Sequence, residues 1–258
     1  MIFRSASLAL LLLLAACGGG GDTQRGGATS GPPTATADIT LLFMGNSHTS
    51  VNDLSTMVAD MVRAAKPGQT VASVEAPGWM FLDERVHDAQ SMDLLRSQNW
   101  SFVILQAQKY SSSGQVHYST EEAKELIRMS RVQHAVPVMF PEWPLKNVAE
   151  TLVIYDLHVS IAQAEPACVA PVGQAWDLAL IRDRSLPLYA DDGNHSRPAG
   201  AFLAALVLFA TITGESPLDL PNLPQYPVDA ALQEMLRGIA AETVATVPPR
   251  MWCPNDPV

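Results

Sequence analysis

The chain has 258 residues, of which 48% are hydrophobic and 16% are charged. This composition excludes an intrinsically disordered protein and provides enough apolar side chains for one sizeable core. Lys and Arg number 16 against 26 Asp and Glu, for a formal charge of −10, and no basic cluster is available for phosphates. Nucleic acid is therefore excluded as a partner. The three cysteines include no CxxC pair, and no metal or other cofactor is predicted.

The first 16 residues have the features of a secretory signal. Arg4 precedes an unbroken apolar run from Leu8 to Ala16, which is too short to span a bilayer because a helix needs about 20 residues for that. The end of this run, Leu-Ala-Ala followed by Cys17, resembles the lipobox of bacterial lipoproteins. The resemblance implies that residues 1–16 are cleaved and that Cys17 is acylated. An ordinary signal peptide with an incidental Cys17 is the alternative.

The residue after Cys17 is Gly18 and not Asp, which by resemblance to Gram-negative lipoproteins implies the outer membrane of the cell envelope. Residues 17–38 contain Gly, Ser, Thr and Pro but no large apolar residue, so we predict a flexible tether. Residues 39–258 are then the folded domain. In an oxidising periplasm Cys168 and Cys253 could form a disulfide, and two free buried thiols are the alternative.

From Ile39 onwards, short apolar runs alternate with helical periodicity, as expected of an α/β domain. Strands are predicted at Ile39–Met44, Thr70–Glu75, Ser101–Gln106, Val136–Phe140 and Cys168–Val172. Helices are predicted at Asn52–Lys66, Asp88–Ser97, Thr120–His134, Val148–Ala164, Ala199–Thr213 and Val228–Val247. The strands are mostly apolar rather than alternating, which is typical of a parallel sheet covered on both faces. The apolar helix 199–213 is shorter than a membrane span and is predicted to be buried.

Ligands of such sheets bind at the carboxyl ends of the strands. Ser47 lies there, in a glycine-flanked turn after the first strand, and Gly78 follows the second strand. Asp192 and His195 lie before the apolar helix. A serine, a histidine and a carboxylate are the parts of a nucleophilic triad.

The block LLFMGNSHTS around Ser47 and the block ADDGNHSRPAGAFLAA around His195 resemble those of the SGNH (GDSL-like) hydrolase superfamily, in particular its branch with Gly-Asn-Ser in the first block. The resemblance runs from Ile39 to about Gly214. It implies a flavodoxin-like three-layer α/β/α sandwich with a five-stranded parallel sheet. It also implies a serine esterase or acyl hydrolase in which Ser47, His195 and Asp192 form the triad.

By the same resemblance, the oxyanion is bound by the backbone amides of Ser47 and Gly78 and by a side-chain amide after the third strand. The family's Gly-x-Asn is replaced here by Gln106-Ala107-Gln108. Gln108 is the candidate for the third donor because its side chain carries the same amide, and Gln106 could narrow the pocket. The alternative is that both glutamines cap nearby backbone.

Other residues near these motifs are weaker candidates for a functional role in the site. His48 is expected to shape the pocket, since adjacent side chains on a turn diverge. Asp191 competes with Asp192, and the spacing to His195 favours Asp192. Trp79 and Trp143 could form an apolar wall or belong to the core. Arg197 is expected to pair with an acidic residue, and binding of an anionic substrate group is the alternative.

These features lead to one principal hypothesis and two alternatives. The principal hypothesis is a membrane-tethered serine esterase acting on O-acetylated glycans or small esters. The first alternative is a non-catalytic surface lipoprotein that binds glycans or envelope components. The second is an O-acyltransferase, because the same acyl-enzyme can be attacked by a sugar hydroxyl. The oligomeric state is not predicted.

Overall fold

The computed structural model describes residues 37–255. The predicted signal, the predicted lipidation site Cys17 and all but the end of the predicted tether lie outside these residues. Five strands form one parallel sheet: β1 (Ile39–Met44), β2 (Val71–Glu75), β3 (Phe102–Gln106), β4 (Val136–Phe140) and β5 (Cys168–Val169). Their order across the sheet is β2-β1-β3-β4-β5. The predicted α/β fold class is confirmed.

Nine α-helices connect and follow the strands within this part of the chain: α1 (Ser47–Ser50), α2 (Leu54–Ala65), α3 (Leu82–Arg85), α4 (Ala89–Arg96), α5 (Glu121–Val132), α6 (Thr151–Ala164), α7 (Val172–Arg182), α8 (Pro198–Thr213) and α9 (Ala230–Thr246). Two 3₁₀ turns lie at Val51–Asp53 and Pro217–Asp219. The helices form two layers, one on each face of the sheet.

The sheet separates two hydrophobic clusters, and the central strand β1 contributes to both. Leu41 and Phe43 pack with α2, α7, α8 and α9, whereas Leu42 and Met44 pack with α3, α4, α5 and α6. All four side chains are fully buried. This explains why the strand sequence is a continuous apolar run, because a strand covered on both faces has no solvent-facing positions.

The end of the sheet differs from the sequence prediction. The fifth strand was expected to extend to Val172, but β5 has only two residues and Val172 begins the unpredicted helix α7. Pro171 lies between them. Proline cannot donate a hydrogen bond to a strand ladder, and its fixed φ suits the entry to a helix, so the strand ends before it.

Helix α8 packs against α2, α7 and α9 and is the centre of one helical layer. Fourteen of its sixteen residues are buried, as predicted from its apolar sequence. Over residues 37–255, no helix combines the length and the hydropathy needed to cross a membrane.

Cys168 and Cys253 form a disulfide across 85 residues of chain. The amide of Val169 donates to the carbonyl of Pro249 at 2.9 Å, beside this bond. The C-terminal segment is therefore fixed along the edge strand of the sheet, on the side that carries no further strand.

Candidate active site

The turn after β1 presents Ser47 as the first residue of α1. Asn46 caps this helix, because its Oδ1 accepts from the amide of His48 at 3.0 Å. A Cβ atom on Gly45 would lie only 2.5 Å from Oε1 of Gln106, so only glycine fits this close approach. The turn is thus held tightly against β3, with Ser47 at the carboxyl end of the sheet.

Ser47 lies in a continuous hydrogen-bond chain with the two predicted triad partners. Its Oγ is 2.8 Å from Nε2 of His195, and Nδ1 of His195 is 2.6 Å from Oδ2 of Asp192. Oδ1 of Asp192 also accepts from the amides of Asn194 and His195 at 2.9 and 3.0 Å. The hydrogen bond from His195, with these two amides, holds the pKa of Asp192 far below its usual range. An ionised Asp192 favours the tautomer in which Nε2 of His195 can accept the serine proton.

The neighbouring carboxylate is directed away from this chain. Asp191 pairs with Arg197, and the Asp191 side chain is 94% exposed. Asp192, three residues before His195, is therefore the carboxylate that contacts its ring. Arg197 pairs with an acidic residue, as expected.

Two backbone amides remain available to bind an oxyanion. Ser47 is the first residue of its helix and has no intrahelical acceptor for its N–H. Gly78 has φ of 74°, a left-handed conformation that favours glycine, and no residue of the described segment accepts from its amide. These are the two backbone donors that the resemblance implied.

Gln108 differs from its predicted role as the third oxyanion donor. Its Nε2 donates to the carbonyls of Lys109 and Ser119, both at 2.9 Å, so both amide hydrogens are already used. Ala107 has φ of 76°, which turns the chain sharply before Gln108. Gln108 therefore caps nearby backbone, which is the alternative role that the sequence left open.

Gln106 supports the nucleophile turn instead of narrowing the pocket. It is fully buried, and its Oε1 accepts from the amide of Asn46 at 2.9 Å and from the hydroxyl of Thr49 at 3.0 Å. Its Nε2 donates to Oε2 of Glu142 at 2.6 Å. Burial raises the pKa of Glu142 to about 7.

His48 and Trp143 form the packing behind the triad histidine. The ring of His48 is 5.3 Å from that of His195 and 5.0 Å from that of Trp143. Burial lowers the pKa of His48 to about 4, which keeps its ring neutral near pH 7. Trp143 is buried and stacks on Trp176 at 4.5 Å, so it belongs to the core and not to the cleft wall.

The Ser47 hydroxyl faces an open cleft with a volume of about 850 Å³. Its lining combines polar groups with exposed aromatic rings, and Trp79 is 68% exposed. The lining residues are Asn46, Ser47, His48, Trp79, Phe81, Gln108, Lys109, Tyr110, Ser112, Tyr118, Glu142, Leu145 and Asn194. Among residues 37–255, no three His, Cys, Asp or Glu side chains come together as a metal site.

Sequence reasoning missed Arg85, which is fully buried below the turns that carry Ser47 and Gly78. Its guanidinium donates to the carbonyls of Gly45, Pro77 and Gly78. Charged residues surround Arg85 in the sequence, as on a solvent-exposed helix, so no local signal marked it as buried.

No protein-family model and no curated protein sequence matches the chain. Solved structures do match, and they support an α/β sandwich fold of the SGNH hydrolase type. A putative SGNH hydrolase from Slackia heliotrinireducens is 25% identical, with a TM-score of 0.53 over 67% of this chain and 98% of that one. A DUF4886 family protein from Bacteroides uniformis is 17% identical, with a TM-score of 0.59 over 82% of this chain and 96% of that one.

A two-domain esterase active on acetylated mannans is 19% identical, with a TM-score of 0.53 over 74% of this chain and 53% of that one. The resemblance to the SGNH/GDSL-like hydrolase superfamily, predicted from the two sequence blocks, is confirmed.

Proposed function

We propose that this protein is a serine ester hydrolase in which Ser47 is the nucleophile, His195 the general base and Asp192 the residue that orients His195. The observation that carries the proposal is the unbroken hydrogen-bond chain from Ser47 Oγ through the imidazole to Asp192. It joins residues 148 positions apart at the carboxyl end of a parallel sheet, where the fold binds ligands.

The reaction begins when Ser47 Oγ attacks the ester carbonyl and His195 Nε2 takes the hydroxyl proton. The carbonyl oxygen becomes an oxyanion, which the amides of Ser47 and Gly78 bind. Collapse of this intermediate breaks the ester bond, and the imidazolium returns its proton to the departing alcohol. Water then attacks the acyl-enzyme by the same steps and releases the acid and free Ser47.

The cleft supports a short acyl group on a polar alcohol as the substrate. Most of its lining side chains carry hydrogen-bonding groups, and the cleft is open rather than enclosed. The exposed rings of Trp79 and Tyr118 offer flat surfaces on which a sugar can lie. O-acetylated glycans and small esters both fit these features, and hydrolysis of acetyl esters should exceed that of octanoyl esters.

Ser47→Ala tests the proposal, with Ser50→Ala as the matched control in the same short helix. The Ser50 hydroxyl donates to the carboxylate of Glu75 and not to His195. Folded Ser47→Ala should lose p-nitrophenyl acetate turnover and fluorophosphonate labelling, whereas Ser50→Ala should keep both. Turnover by Ser47→Ala at the wild-type rate would reject the proposal.

Two further outcomes separate the alternatives. A folded wild-type protein that neither hydrolyses short esters nor reacts with a fluorophosphonate would favour the non-catalytic glycan binder. An acylated product that forms only when a glycan acceptor is added would favour the O-acyltransferase.

We also propose, from the sequence, that the chain is lipid-anchored through Cys17 in the cell envelope, at the outer membrane. In a Gram-negative host, the full-length protein should incorporate labelled palmitate and sediment with outer membranes. Cys17→Ala should do neither. Wild-type protein without label would favour an ordinary signal peptide.

A further inference from the structure

Arg85 joins the two loops that carry the proposed oxyanion donors. It ends α3 and is fully buried. Its Nη2 donates to the carbonyl of Gly45 at 2.5 Å and to that of Gly78 at 2.7 Å, and its Nη1 donates to the carbonyl of Pro77 at 3.0 Å. The fourth acceptor is the hydroxyl of Ser91, at 2.8 Å from Nη1. One guanidinium thus binds three backbone carbonyls from the loops after β1 and β2.

The bond to Pro77 determines where the Gly78 amide points. The carbonyl of Pro77 and the N–H of Gly78 belong to one planar trans peptide unit, in which the two groups point in opposite directions. Because Arg85 holds the carbonyl towards the protein interior, the N–H is directed away from the guanidinium. Gly78 cannot reorient this amide freely, although glycine has the widest conformational range of any residue.

The guanidinium of Arg85 also fixes the turn that carries Ser47. The peptide unit between Gly45 and Asn46 donates its N–H to Gln106 at 2.9 Å, while its carbonyl accepts from Arg85. Both polar groups of the Gly45–Asn46 peptide, one residue before Ser47, are therefore bound. The guanidinium thus bonds to both turns, together with the backbone bond from the Met80 amide to the Gly45 carbonyl at 3.5 Å.

The charge of Arg85 adds to this geometry. In the described segment no carboxylate lies within ion-pair distance of the guanidinium, and its charge is balanced by carbonyl dipoles and by the more distant Asp88 and Glu75. A peptide whose carbonyl binds a cation is polarised and becomes a stronger N–H donor. Burying such a cation costs stability, so a tightly bonded guanidinium at this place fits a functional role.

We propose that Arg85 is a positioning residue for ester hydrolysis, which aligns and polarises the Gly78 amide relative to Ser47 by binding the carbonyls of Gly45, Pro77 and Gly78. This inference rests on the proposed function. Arg85 does not contact the substrate, so it should affect stabilisation of the oxyanion and not ground-state binding.

Arg85→Lys tests the role because it keeps the charge but removes the planar fork of donors. We expect kcat for p-nitrophenyl acetate to fall about 10- to 100-fold, somewhat less than loss of a whole oxyanion donor, with KM within about threefold of wild type. A trifluoromethyl ketone, which forms a tetrahedral adduct with the serine, should bind more weakly by the same factor as the fall in kcat.

Arg250→Lys is the matched control. Arg250 also donates to two backbone carbonyls, those of Thr211 and Ile212 at 2.9 and 3.1 Å, at the end of α8 remote from His195. It should keep the wild-type kcat and ketone affinity. Folded Arg85→Lys with an unchanged kcat, or with a lower kcat but unchanged ketone affinity, would overturn the proposal.

If Arg85→Lys does not fold, Ser91→Ala replaces it, because this change loosens the guanidinium and keeps its charge. A roughly 3- to 10-fold lower kcat with parallel weakening of the ketone is then expected, since small misplacements of reacting groups are costly. No change would reject the role of Arg85. Wild-type and Ser47→Ala proteins are assayed alongside: an inactive wild type, or an active Ser47→Ala, rejects the proposed function instead.

Discussion

Nε2 of Gln106 donates to Oε2 of Glu142 at 2.6 Å, and Oε1 of the same glutamine accepts from the amide of Asn46. A single side chain at the end of β3 therefore connects the half-buried carboxyl group of Glu142 to the turn that presents Ser47. Burial raises the pKa of Glu142 to about 7, so this carboxyl group changes its protonation near neutral pH.

Glu142→Gln should remove a pH dependence of stability. The ordinary pKa of Glu142 is 4.5, so between pH 4.5 and about 7 the folded protein keeps a proton that the unfolded chain has lost. The stability from this group is complete below pH 4.5 and is lost as the pH rises towards 7. From pH 5 to 8, wild type should lose on the order of 1–3 kcal/mol of unfolding free energy relative to Glu142→Gln.

Urea denaturation at pH 5, 6, 7 and 8 measures this difference. Glu125→Gln, on the exposed face of α5, should follow the wild-type pH profile. Parallel profiles for wild type and Glu142→Gln would contradict the assignment of a raised pKa to Glu142.

Asp192→Asn should separate the orienting carboxylate from its neighbour. An amide in place of the carboxylate favours the wrong tautomer of His195, and in a serine protease the equivalent change lowers kcat by roughly 10⁴. We expect a loss of about 10³–10⁴ in kcat here with little change in KM. Asp191→Asn removes only the surface pair with Arg197 and should retain kcat within about twofold. Equal losses in both variants would contradict the separate roles of the two carboxylates.

The sequence predicted the parts of the fold that depend on local patterns. Continuous apolar runs marked the strands because β1, β3 and β4 are covered on both faces. Ser47, Asp192 and His195 were found because their neighbours in the chain resemble known blocks, and the structure brings these three side chains into one hydrogen-bond chain.

The features that were missed depend on contacts distant in sequence. Arg85 is buried because carbonyls from two loops converge on it, including that of Gly45, 40 positions away. Gln108 turns towards Ser119 because Ala107 has a left-handed backbone, and an alanine in the sequence does not predict that conformation. Helix α7 was missed because β5 is only two residues long, so the expected strand extended over its start.

Gln108→Ala should mainly change stability. Its amide bonds to the carbonyls of Lys109 and Ser119, and losing these two partly buried hydrogen bonds costs about 0.5–1.5 kcal/mol each. Because these hydrogens do not face the oxyanion, kcat of the folded variant should fall by less than about tenfold, below the loss typical of an oxyanion donor. Thermal unfolding and p-nitrophenyl acetate kinetics measure the two effects. A fall of 10² or more in kcat at unchanged stability would return Gln108 to the role expected from the sequence.

Gly45→Ala should be strongly unfavourable, in contrast to an alanine at a helical glycine. A Cβ atom at Gly45 would lie 2.5 Å from Oε1 and 3.1 Å from Cβ of Gln106, so the turn or β3 must shift. We expect a loss of about 1–3 kcal/mol in unfolding free energy from this overpacking. Displacement of Ser47 should also lower kcat at least tenfold, since catalysis is sensitive to small misplacements.

Gly238→Ala, in the middle of α9 with no atom within 4 Å of the new Cβ, should instead stabilise the protein by about 0.5–1 kcal/mol and leave kcat unchanged. Urea denaturation and ester hydrolysis of both variants measure these effects, and wild-type stability and turnover in Gly45→Ala would show that the turn does not need the close approach to Gln106.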